Sequence, residues 1–308
     1  MSCDLAISKA SFTHRKVISV SQSIIKVYSV FIFMVMCLST VVSAEIVHSG
    51  KKDDHAIVFL PGLASHGSVW QPWVDTYAKT HSVYVLTASG FAGVAPYQSD
   101  AAFLLSTVQE VIGALKQDRV KKATIVGHSI GGLMALMIAN EAPSITERLL
   151  IVDSLPYLGG LFMPGLLPDA VEKQAALMAH QMASMPRSAF DEQQKYGLRI
   201  QSKTETFLPK LERWSKASDQ QTIATAFKEV LSTDYRDNVS TIKVPVTVLV
   251  AHSAQAPLSR EQILGLYQSQ YENLAEKKIQ VIDDSYHFIM IDQPVDFSAV
   301  LASILEKG

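Results

Sequence analysis

Six short apolar runs recur along this chain: residues 56–60 (AIVFL), 83–87 (VYVLT), 123–126 (ATIV), 149–152 (LLIV), 246–250 (VTVLV) and 279–282 (IQVI). None alternates polar with apolar residues, as expected of strands whose two faces are both covered by helices. Between them, residues 101–116, 133–140, 260–271 and 295–305 carry helical periodicity. Runs of this length alternating with helices describe repeated βα units and a mostly parallel sheet. The sequence therefore predicts an α/β fold with a mostly parallel central sheet and helices on both faces. One interval breaks the rhythm. From about residue 155 to 238 there is no convincing strand, and Val171, Ala175, Met178 and Met182 fall on one helical stripe. This reads as a helical insertion covering the sheet, within a single domain spanning 45–308.

Residues 1–44 stand apart from that domain. His14, Arg15, Lys16 and Lys26 precede a nearly uncharged apolar run over 27–42, which ends in Val42-Ser43-Ala44. A basic segment, an apolar segment and a small-residue site describe a secretory signal peptide cleaved after Ala44, and hence a periplasmic or secreted protein. The competing reading is a membrane anchor, since the run approaches the length that spans a bilayer. With cleavage, no stable membrane insertion is expected. Both cysteines, Cys3 and Cys37, lie in this segment, so the remainder offers no disulfide or thiol chemistry. A formal charge of −2 leaves no electrostatic footprint for nucleic acid, and small molecules are the expected partners. Nothing in the sequence sets an oligomeric state.

The chemistry concentrates at Gly127-His128-Ser129-Ile130-Gly131-Gly132, directly between the run ATIV and the helical LMALMIAN. This is G-x-S-x-G in its strand–turn–helix context, which marks Ser129 as a nucleophile. Ile130 begins the helix, so its amide is one expected oxyanion donor. The loop Leu60-Pro61-Gly62-Leu63 follows the first long strand, and the Leu63 amide is the second. A serine of this kind needs a base, and its acid and histidine come later in the chain. His287, shortly after the run IQVI, satisfies that order. The acid is less plain. The loop after VTVLV, its commonest place, has no carboxylate before Glu261. One strand earlier, LLIV runs straight into Asp153, at a strand's carboxyl end where ligands bind in open sheets. Asp283 and Asp284, just before His287, are the rivals.

Taken together, GHSIGG, the PGL loop, the late Tyr286-His287-Phe288 and the helical insertion resemble the α/β-hydrolase superfamily over nearly everything after residue 44. Within it, residues 90–93 (GFAG), 152–156 (VDSLP) and 287–290 (HFIM) are similar to a group of bacterial exported hydrolases defined by fold. The resemblance implies an eight-stranded sheet, a helical cap, no metal and no cofactor. The residues agree on the last point: no H-E-x-x-H, cysteine pair, P-loop or G-x-G-x-x-G is present.

The leading expectation is a serine hydrolase of the carboxylesterase kind, cleaving a small-molecule ester or amide through an acyl-enzyme. Two others stand beside it. A non-catalytic binding protein on the same scaffold would explain the missing loop acid. An aminopeptidase would need an insertion carboxylate for the substrate amine, with Glu172, Asp191, Glu192, Glu205 and Asp219 available. Of the insertion's large apolar residues, Trp214 and Met182 are the first choices to line a substrate pocket.

Overall fold

The computed structural model describes residues 44–51, 55–96 and 101–306. The proposed signal segment lies outside them up to residue 43, as do both cysteines and the apolar run over 27–42. No helix among the described residues is long and apolar enough to cross a membrane.

Seven strands form one sheet in the order β1-β3-β2-β4-β5-β6-β7. They are β1 (Glu45–Ser49), β2 (His55–Leu60), β3 (Ser82–Thr87), β4 (Lys122–His128), β5 (Thr146–Val152), β6 (Val246–Ala251) and β7 (Lys277–Ile282). All neighbours pair in parallel except β1, which lies antiparallel on β3. The six apolar runs are the six parallel strands. The sheet is one strand short of the eight that the family resemblance implies, and no second strand precedes β1 among the described residues. Strand β1 itself escapes a reading by apolar runs. As an edge strand its EIVHS is partly exposed throughout and carries polar residues at both ends.

Alternate side chains divide the core into two layers. Val58, Leu60, Ile125, Leu149 and Val248 pack on one face of the sheet, whereas Ile57, Phe59, Val126, Leu150 and Leu249 pack on the other. Helices cover both. Before the insertion they are α1 (Gln71–Tyr77), α2 (Phe103–Gln117) and α3 (Ile130–Glu141). The insertion holds α4 (Gly159–Phe162), α5 (Pro168–Ser184), α6 (Arg187–Leu198), α7 (Leu208–Ala217) and α8 (Gln220–Ser232), with no strand between them. After it come α9 (Arg260–Gln270), α10 (Ile289–Asp292) and α11 (Pro294–Leu305). Helix α5 packs on α8 through Val171, Ala175 and Ala179, which are buried. The stripe expected over Met178 and Met182 is rotated by about one residue, leaving both methionines half-buried at its margin.

Two features of this topology place chemistry. Parallel register pairs His128 with Val152, so Ser129 and Asp153 are the first residues beyond two adjacent strands, on the same edge of the sheet. Helix α9 starts at a reciprocal cap. The Gln262 amide donates to Ser259 Oγ at 3.3 Å, and the Ser259 amide donates to Gln262 Oε1 at 2.8 Å. That cap fixes the entry of a helix whose Tyr267 reaches the same edge.

Candidate active site

Ser129 sits at the turn between β4 and α3 with φ 55° and ψ −125°, a backbone conformation that L residues rarely adopt. The glycines make the turn possible by their lack of bulk. A Cβ on Gly127 would overlap the Gly131 carbonyl, and one on Gly131 would overlap the Leu60 carbonyl. The Ser129 amide donates to the Val152 carbonyl at 3.0 Å, which ties the turn to β5. Two more non-glycine residues at positive φ, Ala64 and Asp153, border the same cavity as Ser129. Each such residue costs ~1–3 kcal/mol, and clustering of this kind marks functional sites.

His287 and Asp153 are brought together. Nδ1 of His287 lies 2.7 Å from Asp153 Oδ2. A carboxylate only accepts, so this nitrogen carries hydrogen and Nε2 keeps its lone pair. The other oxygen, Oδ1, accepts from the Ala251 amide at 2.9 Å and from the Tyr267 hydroxyl at 3.0 Å. The first of these shows how a carboxylate from the end of β5 reaches across to the end of β6. Asp153 leans across the end of β6, is held by that strand's last amide, and so occupies the space between β5 and the loop after β7. Burial, and then the Asp153 charge, push the Tyr267 hydroxyl well above its ordinary value, so it remains a donor. The rivals point elsewhere. Asp283 bonds His252 Nδ1 at 3.1 Å and Arg260 Nε at 3.0 Å, while Asp284 pairs with Lys203 on the surface.

His128 stands behind the site. It is fully buried, 4.5 Å ring to ring from His287, and its Nε2 lies 3.0 Å from the His287 carbonyl oxygen. That oxygen can only accept, so Nε2 carries the hydrogen and Nδ1, buried without a protein partner, keeps the lone pair. Burial, and secondarily the neighbouring His287, hold this imidazole well below its ordinary value and therefore neutral. The consequence for stability has a definite sign. A depressed folded-state value means that the unfolded chain takes up a proton near pH 6.5 which the folded chain refuses. His128 therefore contributes stability fully present above pH 6.5 and lost as pH falls below it, at ~1.4 kcal/mol per pH unit. Urea unfolding at pH 5.5, 6.5 and 7.5 should show this extra slope in the wild type and not in His128→Gln. Parallel curves would remove His128 as its source.

These groups open on a cavity of about 360 Å³. Leu63 and Ile130 line it, as the sequence suggests for two oxyanion donors. Ile130 is the first residue of α3, so its N–H has no acceptor within the helix. Most of the apolar wall comes from the insertion, notably Leu158, Phe162, Leu198, Leu211, Phe227 and Val230. Trp214 and Met182, expected in the pocket, do not line it. Trp214 shares α7 with Leu211 and Ser215, which do, but its ring faces away to stack on His66 at 6.1 Å and meet Phe207 edge-on at 5.8 Å. Met182 packs its side chain at the margin of the core, and its carbonyl accepts from Gln220 Nε2 at 2.7 Å. The lining leucines and valine were hidden because helical period says which face is buried, not what it is buried against. Tyr267 had no sequence signal either. Among the described residues no three His, Cys, Asp or Glu side chains are grouped to hold a metal ion.

Comparison with known proteins agrees with this architecture. A family model described as the alpha/beta hydrolase family matches residues 57–300. The sn-1-specific diacylglycerol lipase ABHD11 of Danio rerio is 24% identical over 267 residues, covering 84% of this chain and 81% of its own. Among solved structures, MenH from S. aureus superposes with a TM-score of 0.69 at 13% identity, over 86% of this chain and 98% of its own. A thermophilic esterase from Thermogutta terrifontis gives 0.68 at 15%, over 86% and 93%. At such identities these two structures speak for the fold.

Proposed function

We propose that this chain, which belongs to the alpha/beta hydrolase family, cleaves carboxylic esters with an apolar acyl group through an acyl-enzyme on Ser129. In this reading Ser129 Oγ attacks the acyl carbon while His287 Nε2 takes its proton. The Leu63 and Ile130 amides hold the oxyanion, where a single donor is typically worth ~3 kcal/mol. His287 then gives the proton to the departing alcohol. Water repeats the sequence against the acyl-enzyme, releasing the acid and restoring the serine. Asp153 holds the imidazole in the required tautomer and stabilises its charged form without taking the proton.

The observation that carries the reading is the 2.7 Å contact of His287 Nδ1 with Asp153, on the cavity that Ser129 also lines. It supports catalysis over a non-catalytic binding protein, whose strongest argument is the missing acid after β6. An aminopeptidase is not favoured. None of Glu172, Asp191, Glu192, Glu205 and Asp219 lines the cavity, and Asp219 caps α8 by accepting from the Thr222 amide at 2.7 Å. Among the lining residues Asp153 is the one carboxylate, and its oxygens are already engaged.

Nitrophenyl esters of increasing acyl length test the proposal. The volume lies near the lower end of ordinary ligand pockets, so short and medium chains should give the highest kcat/KM. Leu211→Ala or Phe227→Ala should shift the ratio between short and long esters, since one methylene of contact is worth ~1–3 kcal/mol. Activity that ignores acyl length, or that persists undiminished in Ser129→Ala, would count against it.

A further inference from the structure

Asp292, outside the cavity, gathers five hydrogen bonds from two segments distant in sequence. Its Oδ2 accepts from the Tyr286 amide at 2.9 Å and the Lys203 amide at 3.2 Å. Its Oδ1 accepts from Ser202 Oγ at 2.7 Å, the Thr204 amide at 3.2 Å and Thr204 Oγ1 at 2.9 Å. One set of donors directly precedes His287. The other belongs to the insertion, next to Ile200 and Gln201, which line the cavity. The two segments are also joined directly, because the Phe288 amide donates to the Gln201 carbonyl at 3.0 Å.

From this arrangement we infer that Asp292 is a positioning residue, which fixes the backbone carrying His287 and registers the insertion wall against it. The inference rests on His287 being the base, as proposed above. Besides the local bond from Ser285 Oγ to the Tyr286 carbonyl at 2.8 Å, three ties hold the peptide around His287: the Tyr286 amide to Asp292, the Phe288 amide to Gln201, and the His287 carbonyl to His128. Of these, only the Asp292 tie also reaches the insertion by side-chain and backbone bonds at once. Asp153 and the His128 ring orient the imidazole itself, and Phe288 is buried beside it. The Asp292 carboxylate sets where the backbone of the loop after β7 stands against the insertion, since amides and hydroxyls from both sides can donate to it simultaneously.

Substitutions separate the two ties. Asp292→Ala removes both, and a displacement of the base by about 1 Å would lower kcat on the order of 10²-fold. Asp292→Asn has two orientations. With its oxygen toward Tyr286 and Lys203, one backbone amide, that of Thr204, faces the new NH₂ group. With the reverse orientation, two amides do. The first is preferred, so asparagine keeps the tie to the histidine loop and loosens the insertion. It should restore most of the kcat that alanine loses, while shifting KM and the preference between short and long acyl esters. Ser202→Ala with Thr204→Val should behave like Asp292→Asn.

The experiment measures kcat and KM for this series on short and long nitrophenyl esters, with thermal unfolding of each variant and with His287→Ala as reference. A kcat loss in Asp292→Ala with a shifted KM, where asparagine in folded protein recovers the kcat and leaves the KM shift, supports the inference. Should the alanine variant not fold, Asp292→Ser takes its place, its hydroxyl one bond short of the carboxylate's reach. If kcat is unchanged while stability alone falls, Asp292 is structural and the inference is overturned, although His287→Ala remains inactive. If His287→Ala is itself active, it is the assignment of the base that fails.

Discussion

Ser129→Ala should lower kcat by on the order of 10⁴- to 10⁶-fold, His287→Ala by a similar factor, and the double variant by barely more than either. The reason lies in what each residue does without the other. A serine hydroxyl at its own pKa is a weak nucleophile, and an imidazole beside an alanine has no proton to take. Removing either leaves only binding and the two backbone donors, neither of which the substitutions touch. Losses that act on one step do not add. Ser129 is also held at φ 55° by the turn and not by its hydroxyl, so alanine should leave the fold in place. Steady-state rates for the three variants decide the matter. Losses that multiply would mean that Ser129 and His287 do not work as one unit.

Asp153→Asn should cost roughly 10⁴-fold in kcat, the order found when a triad acid becomes its amide. Here the local bonds dictate the failure. Asparagine must offer its oxygen to the Ala251 amide and the Tyr267 hydroxyl, which contact Oδ1 at 2.9 and 3.0 Å. Its NH₂ group then faces His287 Nδ1. That nitrogen must accept, so the hydrogen moves to Nε2, the atom that should take the proton from serine. The opposite orientation sets NH₂ against the Ala251 amide, two donors face to face. Asp283→Asn and Asp284→Asn should change kcat little, because those carboxylates serve Arg260, His252 and Lys203 at the surface. Activity retained in Asp153→Asn and lost in Asp284→Asn would reverse the assignment of the acid.

The sequence made the sheet and the elbow plain because their causes are local. Strand-length apolar runs need no knowledge of their neighbours, and Gly127 and Gly131 are required by contacts within a few residues or with the adjoining loop. Asp153 stood out as a candidate from a local pattern, a carboxylate directly following a strand, whereas its place beside Ser129 comes from the register of β4 on β5. What stayed hidden depends on long-range packing. Tyr267 acts from a helix more than a hundred residues away, and its effect depends on α9 leaning over the end of β6. The choice within the pocket wall failed for the same reason. Trp214 and Met182 do not line the cavity, whereas Phe162, Phe227 and the leucines that do are set apart from the other apolar residues only by direction. Strand β1 was missed because an edge strand carries no continuous apolar signature.

The most direct test of the account is covalent labelling with a fluorophosphonate followed by peptide mass mapping. An ordinary serine does not react with such a reagent, whereas one whose proton is removed by a positioned base does. The expected result is one adduct per folded chain, on the peptide carrying Ser129, and none in Ser129→Ala or His287→Ala. A folded wild-type protein that takes no label, or an adduct that survives in Ser129→Ala, would contradict it.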